Sequence, residues 1–267
     1  MSEQSAADIP DSTQPTDADP SQVRSIRHFP VTMFAGVLGL CGIGLAWRQA
    51  ATALELPSLP GEGILGFTAG YAIAVYVLYA IKCLRFSFDV KREYWHAVRG
   101  NYFAAAGMSL MLLASAALPY SPPLAEGLWI AGAVTTVLTT LLILRLWIDK
   151  PKPVEQMTPA RLIPVLGGTI APIAGATLGY EDLSWMFLGT GLLFWVMLLT
   201  IFFYRLQVAG PVSDALRPVM FLLVAPPALG AIGITVLGGG YMDPGAMMLL
   251  GIAAFMALML VLRLMRF

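Results

Sequence analysis

The chain has 267 residues, of which 58% are apolar and only 12% charged, and its mean hydropathy is +0.75. Soluble domains carry about 25% charged residues to keep their surfaces wetted, so a water-soluble globular fold is excluded. The 16 Lys+Arg and 16 Asp+Glu cancel, which gives no global attraction for nucleic acid or another charged partner.

Residues 1–28 are rich in Ser, Asp, Gln, Pro and Thr. Such a segment buries too little apolar surface to offset its ordering entropy, so a disordered polar tail is expected there. It lacks the basic start and short apolar stretch of a signal peptide. From Pro30 the character changes. A spanning helix needs roughly 20 apolar residues, because the hydrocarbon core is about 30 Å thick and each residue rises about 1.5 Å. Eight runs meet this, at about 31–47, 64–84, 101–118, 124–147, 162–179, 183–206, 218–238 and 245–265. They are too long and too uniformly apolar for barrel strands. The fold class is therefore an all-α polytopic membrane protein with eight spans in four hairpins, its membrane domain covering 29–267.

Charge placement gives the orientation. Of the sixteen Lys and Arg, all but Arg48 fall before the first span, in the last turns of an even span or the connector after it, or at the chain end. By the positive-inside rule both ends are expected in the cytoplasm, with the chain in the cytoplasmic (inner) membrane.

Odd and even spans differ in composition. Gly, Ala, Ser and Pro make up 33 of about 74 residues in the odd spans and 20 of about 90 in the even ones. Ala35, Gly39, Gly42 and Ala46 share one face of the first span. Gly168, Pro172, Gly175 and Gly179 repeat the spacing on the fifth, and Pro226, Gly230 and Gly233 on the seventh. Small stripes serve either as seams between helices or as the wall of a narrow path. Mid-span prolines favour a path, since they free a carbonyl and kink the helix. On that reading odd helices form an inner ring around a pore, with even helices outside. Its wall includes Ala35, Gly39, Gly168, Pro172, Gly175, Pro226 and Gly230, with Phe34 and Phe103 as aromatic constrictions near the mouths.

The absences limit the chemistry. No Asp, Glu, Lys or His lies mid-span, and His28 and His96 lie outside the spans. Haem ligation, an HExxH zinc site, a retinal Schiff base and intramembrane proteolysis all lack their residues. Cys41 and Cys83 form neither a disulfide framework nor a metal motif. No enzyme activity, cofactor or metal is expected. Asp89, Glu93, Asp149 and Glu155 read as solvated loop residues. Lys82, Arg85, Lys91, Arg92 and Arg99 gather at one cytoplasmic mouth, where they would concentrate anions besides setting topology.

Several local sequences carry a family resemblance. His28-Phe29-Pro30-Val31-Thr32-Met33-Phe34-Ala35-Gly36 opens the first span, and Asn101-Tyr102-Phe103 the third. Ile163-Pro164-Val165 leads to Ala171-Pro172-Ile173-Ala174-Gly175 in the fifth, and Leu216-Arg217-Pro218 to Val224-Ala225-Pro226-Pro227-Ala228 in the seventh. In order and placement these resemble the tellurite-resistance/dicarboxylate transporter family: TehA-type tellurite-resistance proteins, fungal malate and sulfite exporters, and plant slow anion channels. The resemblance implies ten helices in five hairpins, an inner odd-helix ring and an assembly of three copies. It also implies a gating phenylalanine on a ninth helix, beyond Phe267, so the chain is expected to be C-terminally truncated, the alternative being a shortened member whose ring closes differently. The function it implies is transport of small anions, tellurite or a dicarboxylate among them. The alternatives are a proton-coupled C4-dicarboxylate (malate) exporter and a non-transporting membrane scaffold.

Overall fold

The structure, a computed structural model, describes residues 26–96, 98–149, 154, 157–210 and 217–264. Most of the expected tail, Arg24, Lys150, Lys152, Glu155 and Arg266 lie outside these residues. Ile26–His28, a 3-10 turn, leads into α1 (Met33–Ala53), and α2 (Leu59–Arg85) returns antiparallel to it. A short helix, α3 (Ser87–Trp95), precedes a 3-10 turn (Arg99–Tyr102) and α4 (Phe103–Ala117), which pairs with α5 (Pro122–Asp149). The fifth span comprises a 3-10 turn (Pro159–Leu162), α6 (Ile163–Ile170) and α7 (Pro172–Gly175), packed on α8 (Glu181–Val208). A further 3-10 turn (Pro218–Leu223) and α9 (Ala225–Leu237) form the last hairpin with α10 (Pro244–Leu264).

Seven helical segments among the described residues are long and apolar enough to cross a membrane. The expected fifth span is divided, so it does not make an eighth unbroken one. Pro172 has no N–H to donate to Gly168, and α6 stops at Ile170. The helix restarts at once, with Gly175 N–H donating to Ala171 O. Trp129 of α5 donates its indole N–H to the same carbonyl at 2.9 Å and stacks on Tyr180 with ring centroids 4.7 Å apart. A break at membrane depth is tolerated because it is enclosed by protein: all of Ile163–Ile170 is buried.

The odd/even difference appears in the backbone too. Spans three, five and seven each begin with a 3-10 turn on the side where the basic residues cluster, and these turns pack on one another in order. The long even helices, of 21 to 28 residues, are continuous. Three of their hydroxyls find partners within their own helix: Thr68, Thr190 and Thr200 donate to the carbonyls of Ile64, Met186 and Val196. No polar hydrogen of these side chains is then left to face lipid.

Helix ends are closed locally. Glu181 and Asp182 start α8 and Arg205 lies in its last turn, complementing the helix dipole. Gly239 and Gly240 take positive φ values of 71° and 90°, letting Gly240 N–H reach back to Thr235 O at 2.8 Å to cap α9. Asp243 then caps α10 by accepting from Ala246 N–H at 2.8 Å.

Candidate functional site: the odd-span arc and its basic end

The odd spans form an arc: α1 packs on α4, α4 on α6 and α7, and these on α9. Even helices lie behind them, α2 on α1, α5 on α4, α8 on α6 and α10 on α9. Among the described residues α1 and α9, at the two ends, share no extensive packing seam.

The small residues divide into two kinds. A Cβ on Gly168 would strike the Phe187 carbonyl and Gly191 of α8; one on Gly175 would strike Ser184 and Trp129. On Gly230 it would come within 3.0 Å of Leu192 and Leu249. The smallness of these three residues is taken up by seams with even helices. Pro172 is buried against the Gly233 position of α9, and Pro226 is buried in the first turn of α9 rather than at mid-helix. The first span is different. Its packed face is Phe34, Val37, Cys41 and Gly44, and Leu65 of α2 fills the space beside Gly44. Ala35, Gly39, Gly42 and Ala46 lie off that face, and nothing approaches a Cβ built on Gly39 or Gly42 within 4 Å.

Phe34 and Phe103 belong to an aromatic cluster. Phe34 meets Tyr76 and Tyr79 edge-on at 5.0 and 5.3 Å, and Phe103 meets Tyr79 and Tyr94 at 6.1 and 5.7 Å. The Tyr76 hydroxyl donates to Ala106 O at 2.5 Å and lies 2.7 Å from Ser109 Oγ, tying α2 to α4.

The five basic residues do not form one patch. Lys82 is 1% exposed and faces inward: its ammonium lies 2.8 Å from Glu93 Oε2 and donates to Phe29 O at 2.8 Å. The Tyr79 hydroxyl donates to the same carboxylate at 3.1 Å. Lys82 is therefore neutralised inside the protein, and Glu93, 9% exposed, is not a solvated loop residue. Burial without the partner would be prohibitive for either charge. Asp89 is likewise engaged, accepting from Arg27 Nε at 2.8 Å. Arg85, Lys91, Arg92 and Arg99 remain exposed.

Two clusters on the opposite side escaped the sequence reading. Arg48 bonds Glu62 through both Nε and Nη2, at 2.6 and 2.7 Å, and reaches Ala116 O at the end of α4 at 3.2 Å. Tyr120 donates to Glu62 at 2.5 Å, and that bond to a carboxylate raises the phenol pKa. Tyr180 donates to Glu126 at 2.6 Å with the same consequence. Arg48, the lone basic residue of its side, thus ties the first hairpin to the second. The signal was its isolation; its partners lie 14 and 68 residues away. Among the described residues no group of His, Cys, Asp and Glu is placed to hold a metal ion.

Comparison with known proteins finds relatives named as S-type anion channels and as a tellurite resistance protein. The chain is 25% identical over 246 residues to the S-type anion channel SLAH3 of Arabidopsis thaliana, covering 89% of this chain and 39% of that protein. It is 28% identical over 258 residues to the S-type anion channel SLAH4 of the same plant, covering 94% and 70%. With the tellurite resistance protein TehA homolog of Haemophilus influenzae it shares 26% identity over 243 residues, covering 89% and 73%. The chain spans less than half the length of SLAH3 and SLAH2, 39% and 47%. Residues 28–267 match the SLAC1 family model, described as voltage-dependent anion channel, and the chain belongs to that family.

Proposed function

We propose that this chain conducts small anions across the cytoplasmic membrane, with both ends inside. The observation that carries the reading is the stripe of small, uncharged residues along α1, open beside Gly39 and Gly42, on the first helix of the arc. A mobile anion needs a path that neither repels it with carboxylates nor holds it with a fixed cation. Neutral spans with charge confined to their ends meet that condition. Family membership supports the same function, and the names of the relatives, S-type anion channels and a tellurite resistance protein, make small anions and tellurite the substrates to test. Positive-inside charge supports the orientation, and the family resemblance supports an assembly of three copies.

The test is current through full-length protein in a planar bilayer under opposed chloride and pH gradients. The reversal potential should follow the anion gradient and ignore pH. A reversal potential that follows protons would favour the coupled dicarboxylate exporter. Anion flux no greater than in protein-free membranes would leave only the scaffold.

A further inference from the structure

The surface that invites explanation is the outer face of α3. This helix begins one residue after α2 ends, with only Phe86 between them. α2 has 27 residues and is about 40 Å long, enough to run from one headgroup layer to the other, so α3 starts at headgroup level. Its two carboxylates, Asp89 and Glu93 at i and i+4, turn inward, where Arg27 and Lys82 neutralise them. Phe88, Lys91, Arg92 and Trp95, at i, i+3, i+4 and i+7, lie on the other face and are all exposed. Phe88 is 71% and Trp95 47% exposed, and Leu84 just before them is 86% exposed. With His96, the four bound a shallow cleft of about 420 Å³.

We infer that this face is a docking surface for the acidic phospholipids of the adjoining leaflet. Lys91 and Arg92 would engage the headgroup phosphates while Phe88 and Trp95 enter the acyl boundary. The pattern is that of a helix lying in the interface: aromatic side chains and cations share one face, and the acidic groups are withdrawn from it. Each exposed cation near an anionic leaflet favours binding about fivefold. A cation on a cytosolic surface would need no aromatic flanks, and a protein partner would not explain why the exposed apolar surface continues onto α2 at Leu84. The inference rests on the chain spanning a membrane and not on what it conducts.

Full-length protein in mild detergent, offered equal phosphatidylglycerol and phosphatidylcholine, tests this by native mass spectrometry of retained lipid. Phosphatidylglycerol should be retained preferentially, and K91Q/R92Q should lower that preference by about thirtyfold. R263Q, which removes an exposed cation from the last turn of α10, should change it much less. Brominated phosphatidylglycerol should quench Trp95, seen as fluorescence lost against W95F. Equal retention of the two lipids would overturn the inference, as would a preference unchanged in K91Q/R92Q. Displacement of the lipid by inorganic phosphate would mark a site for a soluble anion instead. A changed oligomeric mass in K91Q/R92Q would make the face a contact between copies.

Discussion

Lys82 shows what a buried charge does at the end of a span. Its ammonium is held by Glu93, Phe29 O and the Tyr79 ring, 5.6 Å from the ring centroid, and so links the segment before α1 to α2 and α3. Removing one member of a buried pair leaves the other uncompensated, at a cost of about 3–5 kcal/mol. Lys82→Met should therefore lower the thermal midpoint of the detergent-solubilised protein sharply. Lys82→Met combined with Glu93→Leu should recover most of the loss, because both desolvation penalties disappear together. A single variant as stable as the parent would show that the pair is not buried. None of this was legible in the chain. A lysine at the basic end of a span already satisfies the topology rule, and nothing local distinguishes an inward ammonium from an outward one. The nine residues of α3 supply the difference by carrying Glu93 back over the end of α2.

Helix pairing depends on where small residues meet. Gly107 of α4 and Gly132 of α5 put backbone against backbone: a Cβ on Gly132 would stand 2.7 Å from Gly107 O and 2.9 Å from Met111 N. Backbone cannot rotate away as a side chain can, so Gly132→Ala should destabilise by about 1–3 kcal/mol. Gly127→Ala on the same helix, where nothing lies within 4 Å, should be neutral. Fluorescence-detected size exclusion after a heating series separates the two, and equal midpoints would refute the close approach. The abundance of small residues in odd spans was readable from composition, and so was the break at Pro172. Which small residues form seams was not. Gly168 and Gly39 look alike in a stripe, and only the position of α8 distinguishes the packed one from the open one. Pro226 lies within the seventh span as read, but a helical run in sequence does not reveal that the span opens as a 3-10 segment, after which the proline stands in the first turn of α9.

At the scale of the molecule, an arc of four odd spans backed by even ones has one wall left unfilled, along α1. That wall either borders water or borders lipid, and chemistry can tell these apart. In a background with Cys41 and Cys83 replaced by alanine, Gly39→Cys adds a thiol where space exists for it, and Ala35→Cys adds one a turn earlier on the same stripe, at a half-buried position. Gly168→Cys and Gly175→Cys force a side chain into the α8 seam and should reduce folded yield instead. Leu193→Cys, on the exposed face of α8, serves as the lipid-facing control. A water-soluble, membrane-impermeant thiol reagent added to sealed proteoliposomes reacts with thiolate, and thiolate forms only where water reaches. Labelling at positions 35 and 39 should exceed that at 193 by at least tenfold, and a permeant anion in excess should slow it. If 35, 39 and 193 are equally protected, the stripe faces lipid, and the path for anions must lie on another face of the arc.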